Sequence, residues 1–300
     1  METDFKGIFA ALTTPFIEGE ISVDKFKDNI QKYNAFPLSG YVVLGSTGEA
    51  VYLTDEESRK LVQTAKEWSS PEKKIMAGTA RESTKITLDF TNQMADLGID
   101  AAMIRPPSYF KPHMGGEALK KHYLTIADQA KIPFFIYNIP QYTGIFVDSE
   151  LVSELSRHPR IIGLKDSYGD LSSASELAAQ LDSGFSILLG AGSSLLSGLI
   201  MGASGGILRL ADIAPAQCIE LYELFSAGKI AKARKIQQDL IPLNKAITQS
   251  FGIQGLKYAL DLAGYYGGLP RLPLLPLHQE GKKEIQNILD HLHLLERKPT

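Results

Sequence analysis

Short apolar runs alternate with longer amphipathic stretches along most of the chain. The runs have the length of strands, are rich in Val, Ile, Phe and Tyr, and lie at residues 7–14, 40–44, 74–78, 101–104, 133–137, 161–165, 185–190 and 205–208. The stretches between them repeat apolar residues at helical spacing, at residues 24–33, 54–68, 83–97, 117–130, 148–155 and 171–181. Because continuously apolar strands alternate with helices, the pattern predicts a parallel sheet buried on both faces.

Several of the predicted helices open with N-cap signals. Thr54, followed three residues later by Glu57, has the sequence of a capping box. Asp24 and Asp148 are also expected to cap the helices that they precede. These signals support the helical assignment of the stretches concerned.

Eight strand–helix units in a row predict an α/β protein with a closed (β/α)8 barrel, the TIM barrel. A doubly wound sheet is the alternative, but it leads us to expect a G-x-G-x-x-G turn after an early strand, and the sequence has none. Further helical segments follow the eighth run, at residues 215–227, 229–243, 254–263 and 282–295. Since no long polar linker separates them, we expect a barrel over residues 1–226 and a C-terminal extension over residues 227–300 that packs on it.

The composition is that of an ordinary soluble globular protein. Its 300 residues fit one barrel, and 44% hydrophobic with 22% charged residues is near the average. A net charge of -3 leaves no excess of basic residues to neutralise the phosphates of a nucleic acid. The sequence contains no run of about 18 uncharged apolar residues, so it predicts no membrane-spanning helix. Residues 1–9 carry acids and lack the apolar core of a signal peptide. The single cysteine, Cys218, suits a reducing, cytoplasmic compartment and is expected to be buried.

The carboxyl ends of the predicted strands are where the active sites of this architecture lie. Polar, charged or glycine residues follow most of the runs, in segments 13–14, 45–49, 105–109, 137–138, 165–167, 190–192 and 207–209. The six histidines are scattered and form no H-x-x-x-H pair with an acid, so we expect no metal site.

Lys165 ends the sixth run on the same strand face as Ile161 and Gly163. Both faces of a barrel strand are dry, so a lysine there is costly unless it is paired or neutral. Desolvation lowers the pKa of a lysine, and a neutral amine can attack a ketone to form an imine. The alternative, which the position favours when taken alone, is a lysine whose flexible stem reaches solvent.

Tyr137 ends the neighbouring run and shares a face with Pro133 and Phe135. Adjacent strands lie about 5 Å apart, so this phenol and the Lys165 amine can come within bonding reach. A phenol in that place can shuttle protons to and from a reacting group. The alternative is a core tyrosine whose hydroxyl is satisfied at the rim of the barrel.

The segment Gly45-Ser46-Thr47-Gly48-Glu49, called here the glycine turn, follows the second run. Its two glycines allow a turn whose N–H and hydroxyl groups converge on an anion, such as the carboxylate of a 2-oxo acid. The motif is weak by itself and also fits an ordinary turn, in which Glu49 bonds the turn's own backbone.

Three motifs together resemble the dihydrodipicolinate synthase/N-acetylneuraminate lyase family. They are the glycine turn, Tyr137-Asn138-Ile139-Pro140 and Gly163-Leu164-Lys165-Asp166-Ser167. They stand in the family's order and at its spacings, and the resemblance extends from about Gly7 into the tail. It implies a class I lyase, an aldolase or synthase, that acts on pyruvate through a covalent imine and requires no further cofactor.

The resemblance assigns catalytic roles to four residues. Lys165 is implied to form the imine, and Tyr137 is implied to transfer protons through a relay with Ser46. Tyr109 corresponds to the tyrosine that a neighbouring subunit lends to this relay. A homotetramer built as a dimer of dimers is therefore expected.

Substrate binding is implied for residues beside this relay. Thr47 is expected to bind the pyruvyl carboxylate, with a backbone contact from Ile207 next to it, and Ser167 of the lysine motif joins this set. Arg209 shares strand parity with Ile207, so it can point into the barrel mouth and pair with a second carboxylate or with hydroxyls. An Arg209 paired with an acid of the barrel is an equal alternative.

The second substrate is less well defined by the resemblance. In dihydrodipicolinate synthases an arginine stands two residues after the proline of the Tyr-Asn-x-Pro motif, and this chain has Tyr142 there. Residues 251–257 and 264–268 look more like the 4-hydroxy-2-oxoglutarate aldolase branch. We therefore expect aldol cleavage of a 4-hydroxy-2-oxo acid, with 4-hydroxy-tetrahydrodipicolinate synthase, 2-keto-3-deoxy-sugar-acid aldolase and N-acetylneuraminate lyase as alternatives.

Two other classes of function remain in competition with this prediction. A catalytically silent, pyruvate-binding family member is one, but a binding protein has no need of the Tyr137 phenol. A phosphate-binding barrel enzyme is the other, but residues 190–192 and 202–206 show no clear phosphate cradle at a helix N-terminus.

Overall fold

Eight parallel strands close into a barrel in the computed structural model, which describes residues 5–181 and 184–295. The strands are β1 Gly7–Ala11, β2 Gly40–Val43, β3 Lys74–Gly78, β4 Ala101–Ile104, β5 Phe134–Asn138, β6 Ile161–Asp166, β7 Ser186–Leu189 and β8 Gly205–Leu208. Each strand pairs with its neighbours in the sequence, and β1 pairs with both β2 and β8 to complete the circle. The predicted TIM barrel is confirmed.

Strand β1 ends three residues earlier than its apolar run. The amide of Leu12 still donates to the Val42 carbonyl at 3.0 Å, after which the chain leaves the sheet. The hydroxyl of Thr14 then donates to the Gly48 carbonyl at 2.6 Å. The polar end of the run therefore belongs to the loops above the barrel.

The barrel helices are α1 Val23–Tyr33, α2 Asp55–Trp68, α3 Thr84–Asp96, α4 Gly116–Gln129, α5 Ser149–Leu155, α6 Leu171–Gln180, α7 Leu195–Ile200 and α8 Pro215–Ser226. Both halves of the capping box between Thr54 and Glu57 are present, and Asp148 caps α5 as predicted. The predicted cap at Asp24 is wrong: Ser22 accepts from the Lys25 amide instead. Asp24 lies in the first turn of α1, where the positive end of the helix dipole stabilises its carboxylate.

Apolar side chains fill the amino end of the barrel. Phe5 packs on Phe9 and Phe135, with ring centroids 6.2 and 5.2 Å apart. The Phe135 ring also lies against Gly163, where an added Cβ would come within 2.2 Å of a ring carbon. This end of the barrel is a packed apolar core.

The C-terminal extension continues the helical layer. It contains α9 Ile230–Lys245, a π-helical turn Ala246–Ser250, α10 Gly252–Leu262 and α11 Gln279–His291. Leu243 and Leu289 of the extension belong to the same buried cluster as Leu61 of α2, so the extension packs on the barrel helices. The division after residue 226 remains a prediction, and residues 1–4, 182–183 and 296–300 of the predicted ranges lie outside the described residues.

Cys218 is buried in α8, as expected, and burial raises the pKa of its thiol. Among the described helices, none combines the length and the apolar character that crossing a bilayer requires.

Candidate active site

A cavity of about 590 Å³ opens at the carboxyl end of the barrel. Its wall includes seven of the eight residues that the sequence singled out: Ser46, Thr47, Tyr137, Lys165, Ser167, Ile207 and Arg209. A cavity of this volume suits a small molecule. The strand ends thus bring the predicted residues to one place.

Lys165 and Tyr137 face each other across the β5–β6 pair. Their Cα atoms are register partners, and the Lys165 Nζ lies 4.3 Å from the centre of the Tyr137 ring. Lys165 is only 5% exposed, and this burial lowers the pKa of its amine. The nearby phenol opposes that shift in pKa, whereas the charge of Arg209 adds to it. Burial therefore favours the neutral amine, the form that attacks a ketone.

The relay from Tyr137 reaches Ser46 within one chain. The two hydroxyl oxygens lie 3.4 Å apart, and either can be the donor. The side chain of Tyr109, by contrast, lies outside this cavity and is 79% exposed, with its ring 5.0 Å from that of Phe110. Within a single chain, two of the three hydroxyls of the expected relay, those of Tyr137 and Ser46, therefore lie close together.

The glycine turn has amides that are free to bind an anion. Its internal hydrogen bonds use the amides of Gly48, Glu49 and Ala50, over 3.1–3.4 Å. The amides of Ser46 and Thr47 have no hydrogen-bond partner within the described residues. Together with the Thr47 hydroxyl they offer the donors that a carboxylate needs.

Arg209 lies over Thr47 rather than free in the cavity. Its Nε donates to Thr47 Oγ1 at 3.4 Å, and its Nη1 donates to the Ile247 carbonyl at 2.8 Å. Within residues 5–181 and 184–295, no acid forms an ion pair with it. Its charge therefore lies beside the expected carboxylate site, and its role in reading a second carboxylate stays a prediction.

Ser167 has room at the cavity because Gly190, which directly follows strand β7, has no side chain. An added Cβ at Gly190 would come within 1.9 Å of Ser167 Oγ. The Ser167 carbonyl accepts a hydrogen bond from the side-chain amide (Nε2) of Gln141, another residue of the wall.

Sequence reasoning missed the outer wall of the cavity. Uncharged polar residues of the C-terminal extension close it, namely Asn244, Thr248 and Gln249. Thr248 and Gln249 lie on the π-helical turn, a local form that is frequent at functional sites and has no simple sequence signal. Tyr142 lines the same cavity and is 57% exposed.

Asp212 is a second feature without a sequence signal. It follows β8, is fully buried, and neither carboxyl oxygen has a hydrogen-bond partner in the described part of the chain. Burial raises the pKa of this carboxyl well above its usual range, although the charges of Arg209 and Lys165 act in the opposite direction. The carboxyl thus forms part of the electrostatic environment of Lys165.

No three His, Cys, Asp or Glu side chains among the described residues lie close enough to hold a metal ion. The chemistry offered by the cavity is that of an amine, a phenol, a hydroxyl and an anion-binding turn.

Comparison with known proteins gives consistent matches over nearly the whole chain. The model of the dihydrodipicolinate synthetase family matches residues 4–292. The 4-hydroxy-tetrahydrodipicolinate synthase of Exiguobacterium sibiricum is 35% identical over 293 residues, which cover 97% of this chain and 96% of that protein. The same-named protein of Methanoculleus marisnigri is 33% identical over 289 residues, covering 95% of this chain and 98% of that one.

Solved structures agree with these matches. The dihydrodipicolinate synthase of Aquifex aeolicus superposes with a TM-score of 0.93 at 28% identity, covering 98% of this chain and 100% of that chain. A dihydrodipicolinate synthase variant described as monomeric also superposes with a TM-score of 0.93, at 27% identity and 98% coverage of each chain.

Proposed function

The chain belongs to the dihydrodipicolinate synthetase family, and from that premise we propose that Lys165 joins pyruvate to the enzyme as an imine. Family membership makes the chain a carbon–carbon lyase or synthase. The observation that carries the covalent step is the buried Lys165 amine, with its lowered pKa, against the Tyr137 ring.

The neutral amine of Lys165 attacks the C2 ketone of pyruvate, the Tyr137–Ser46 relay supplies a proton to the departing oxygen, and loss of water gives a protonated imine. This iminium withdraws electrons from C3, so a C3 proton can leave and an enamine forms. The enamine attacks an aldehyde carbon to make the new bond, and hydrolysis of the imine frees the product and Lys165. Cleavage is the same sequence in reverse. The iminium supplies the polarisation for which other aldolases use a metal ion, so no external cofactor is needed.

The proton steps fall to Tyr137 and Ser46. In synthesis the aldehyde oxygen gains a proton as the bond forms, and in cleavage the C4 hydroxyl loses one. The 3.4 Å separation of the Tyr137 hydroxyl from Ser46 Oγ supports a proton-transfer role for this pair in both directions. The amides of Ser46 and Thr47 and the Thr47 hydroxyl hold the carboxylate of pyruvate, beside a backbone contact from Ile207.

The names of the relatives support condensation of pyruvate with an aldehyde, as in 4-hydroxy-tetrahydrodipicolinate synthase, better than the aldol cleavage that the sequence predicted. Aldol cleavage of a 4-hydroxy-2-oxo acid stays a second candidate on two observations. Apart from Lys165 and Arg209, the described wall of the cavity is uncharged, and Tyr142 stands where the family resemblance implies an arginine.

A second copy of the chain is proposed to complete the relay with Tyr109. A second cavity of about 470 Å³ adjoins Ser46 and Tyr137 on the side of Arg81 and Arg105, and it has room for an aromatic side chain. The exposed ring of Tyr109 supports its insertion into such a cavity of a neighbouring subunit. We propose a homotetramer in the cytoplasm, as the family resemblance implies. Light scattering of the purified protein tests the assembly.

Reduction with borohydride in the presence of pyruvate tests the covalent step. Mass spectrometry is expected to find the reduced pyruvyl adduct on the peptide that contains Lys165, and protein treated without pyruvate is the control. Absence of the adduct would overturn the proposal.

A substrate comparison separates the two candidate reactions. Aspartate semialdehyde plus pyruvate, 4-hydroxy-2-oxoglutarate, 2-keto-3-deoxygluconate and N-acetylneuraminate are assayed side by side. Turnover of the first pair alone supports the synthase, whereas cleavage of one of the other three supports the aldolase.

A further inference from the structure

One fully buried ion pair joins the C-terminal extension to the glycine turn. Lys257 Nζ of α10 lies 2.6 Å from Glu49 Oε1, and both side chains are 1% exposed. Lys257 also donates to the carbonyls of Thr14 and Leu269, at 2.8 and 3.0 Å. At this distance the ammonium of Lys257 is the partner of Glu49 Oε1 in the described chain.

The glycine turn needs support from outside itself. Leu44 and Glu49, which bracket its glycines, have φ angles of 59° and 56°, in the left-handed region that non-glycine residues avoid. Such residues persist only where the surrounding structure fixes them. The turn's internal hydrogen bonds, at 3.1–3.4 Å, are long and few.

Lys257 completes a closed ring of contacts around the turn. The Thr14 carbonyl accepts a hydrogen bond from Lys257 Nζ, and the Thr14 hydroxyl donates to the Gly48 carbonyl. The next residue, Glu49, pairs through its carboxylate with Lys257 Nζ and so closes the ring. The Arg271 amide adds a second contact from the extension, to Glu49 Oε2 at 2.8 Å. The Gly48 carbonyl and the Glu49 side chain are thereby both tied to residues outside the turn.

Stability alone does not account for this pair. Replacing a buried ion pair by apolar residues of similar size is often neutral or stabilising, since the charges lose their hydration. A buried pair is better explained where it specifies one conformation. The conformation specified here is that of the two free amides, Ser46 and Thr47, that directly precede Gly48.

We propose that Lys257 is a positioning residue for the carboxylate site. From the C-terminal extension it fixes the backbone of the glycine turn through Glu49 and Thr14, so that Ser46 and Thr47 meet the carboxylate of the 2-oxo acid. The inference rests on the proposed function, because it takes that carboxylate to bind at the turn.

Three variants test the proposal: Lys257→Met, Glu49→Gln, and the double variant Glu49→Gln/Lys257→Met. The pyruvate concentration for half-maximal borohydride trapping is expected to rise about 10-fold or more, since small displacements of binding groups are costly. Trapping at saturating pyruvate is expected to stay near that of the unaltered protein, because Lys165 and Tyr137 are untouched. Calorimetry with pyruvate measures the same loss of affinity without reduction.

Lys73→Met is the matched control. Lys73 is also a buried lysine and donates to two carbonyls, those of Phe36 and Leu38, but these lie near the amino ends of the strands. We expect this variant to lose stability and to keep its half-saturating pyruvate concentration.

Thermal unfolding separates positioning from general stability. The double variant removes both charges, so it is expected to recover much of the stability that Lys257→Met loses while its affinity for pyruvate stays low. Folded variants that bind pyruvate as tightly as the unaltered protein would overturn the inference. If the unaltered protein neither binds nor traps pyruvate, the proposed function fails and this inference fails with it.

Discussion

The two ends of the barrel use opposite solutions for the same interior. At the amino end, Phe5, Phe9 and Phe135 fill the space, and the buried Lys73 is bonded to backbone carbonyls. At the carboxyl end a cavity is left open, and two buried ionisable groups, Lys165 and Asp212, have no oppositely charged partner in an ion pair among the described residues.

This difference shows that groups which lower the stability of the fold are confined to the carboxyl end, where the proposed chemistry takes place. Buried groups with shifted pKa values and incomplete partners are costly, and they concentrate at functional sites. The amino end bears the packing that stabilises the barrel, so the carboxyl end can hold a buried amine whose pKa is lowered. Substitutions at the two ends should therefore change different properties.

Lys165→Met is expected to have the largest effect. Without the amine no imine can form, so the pyruvyl adduct and the turnover of all substrates should disappear. The free energy of unfolding should stay within about 1 kcal/mol of the unaltered value or rise, because an apolar side chain replaces a buried amine. Chemical denaturation and mass spectrometry check both statements, and residual trapping on another lysine would contradict the assignment.

Tyr137→Phe should follow, with a fall in kcat of about 10²–10⁴-fold, the usual contribution of a positioned acid or base. The ring and its packing remain, so the fold should be kept. Steady-state kinetics together with trapping measure the change. A kcat within a factor of about two of the unaltered value would contradict the role of the phenol.

Phe135→Ala tests the opposite end of the barrel. Removing a buried aromatic ring is expected to lower the free energy of unfolding by about 3–5 kcal/mol. The half-saturating pyruvate concentration should be unchanged in the folded protein, because the ring lies below the cavity. Urea unfolding and trapping give the two readouts, and a loss of affinity equal to that of a glycine-turn variant would erase the contrast between the ends.

Asp212→Asn should have the smallest effect, a gain in stability that grows with pH. Burial raises the pKa of this carboxyl above its usual value of 3.8, so its contribution to stability is present below that pH and is lost as the pH rises through the folded-state pKa. Asparagine does not ionise, so the variant should gain about 1 kcal/mol relative to the unaltered protein at the higher pH. Urea unfolding at pH 5 and pH 8 measures the difference; an equal gain at both would exclude ionisation as the cause.

The sequence predicted the barrel because its strands are buried on both faces and leave long apolar runs. It also predicted that Tyr137 and Lys165 lie side by side near the carboxyl ends of neighbouring strands, and their Cα atoms are register partners. The catalytic roles of the two residues remain predictions. The misplaced cap at Asp24 shows the limit of local signals: Ser22 and Asp24 are both good capping residues, and only the path of the chain decides between them.

The outer wall and the buried ion pair could not be predicted in this way. Gln249 reaches the cavity through a π-helical turn and the packing of the extension, neither of which leaves a periodic pattern. Lys257 and Glu49 belong to segments far apart in the sequence, and the glycine turn by itself suggested only that Glu49 bonds the backbone of its own turn. Their pairing is a property of the folded chain alone.

The ring of contacts that Lys257 completes also determines when, during synthesis of the chain, the glycine turn gains its outside support. Thr14 and Lys257 are 243 positions apart, and Glu49 and Arg271 are 222 apart. During synthesis from the amino terminus, all eight strands emerge by residue 208, well before these partners. A ribosome-bound chain at that stage would have the proposed catalytic side chains and still lack the contacts of Lys257 and Arg271, so the proposed carboxylate site would reach its full affinity for pyruvate only after residue 271 has been made.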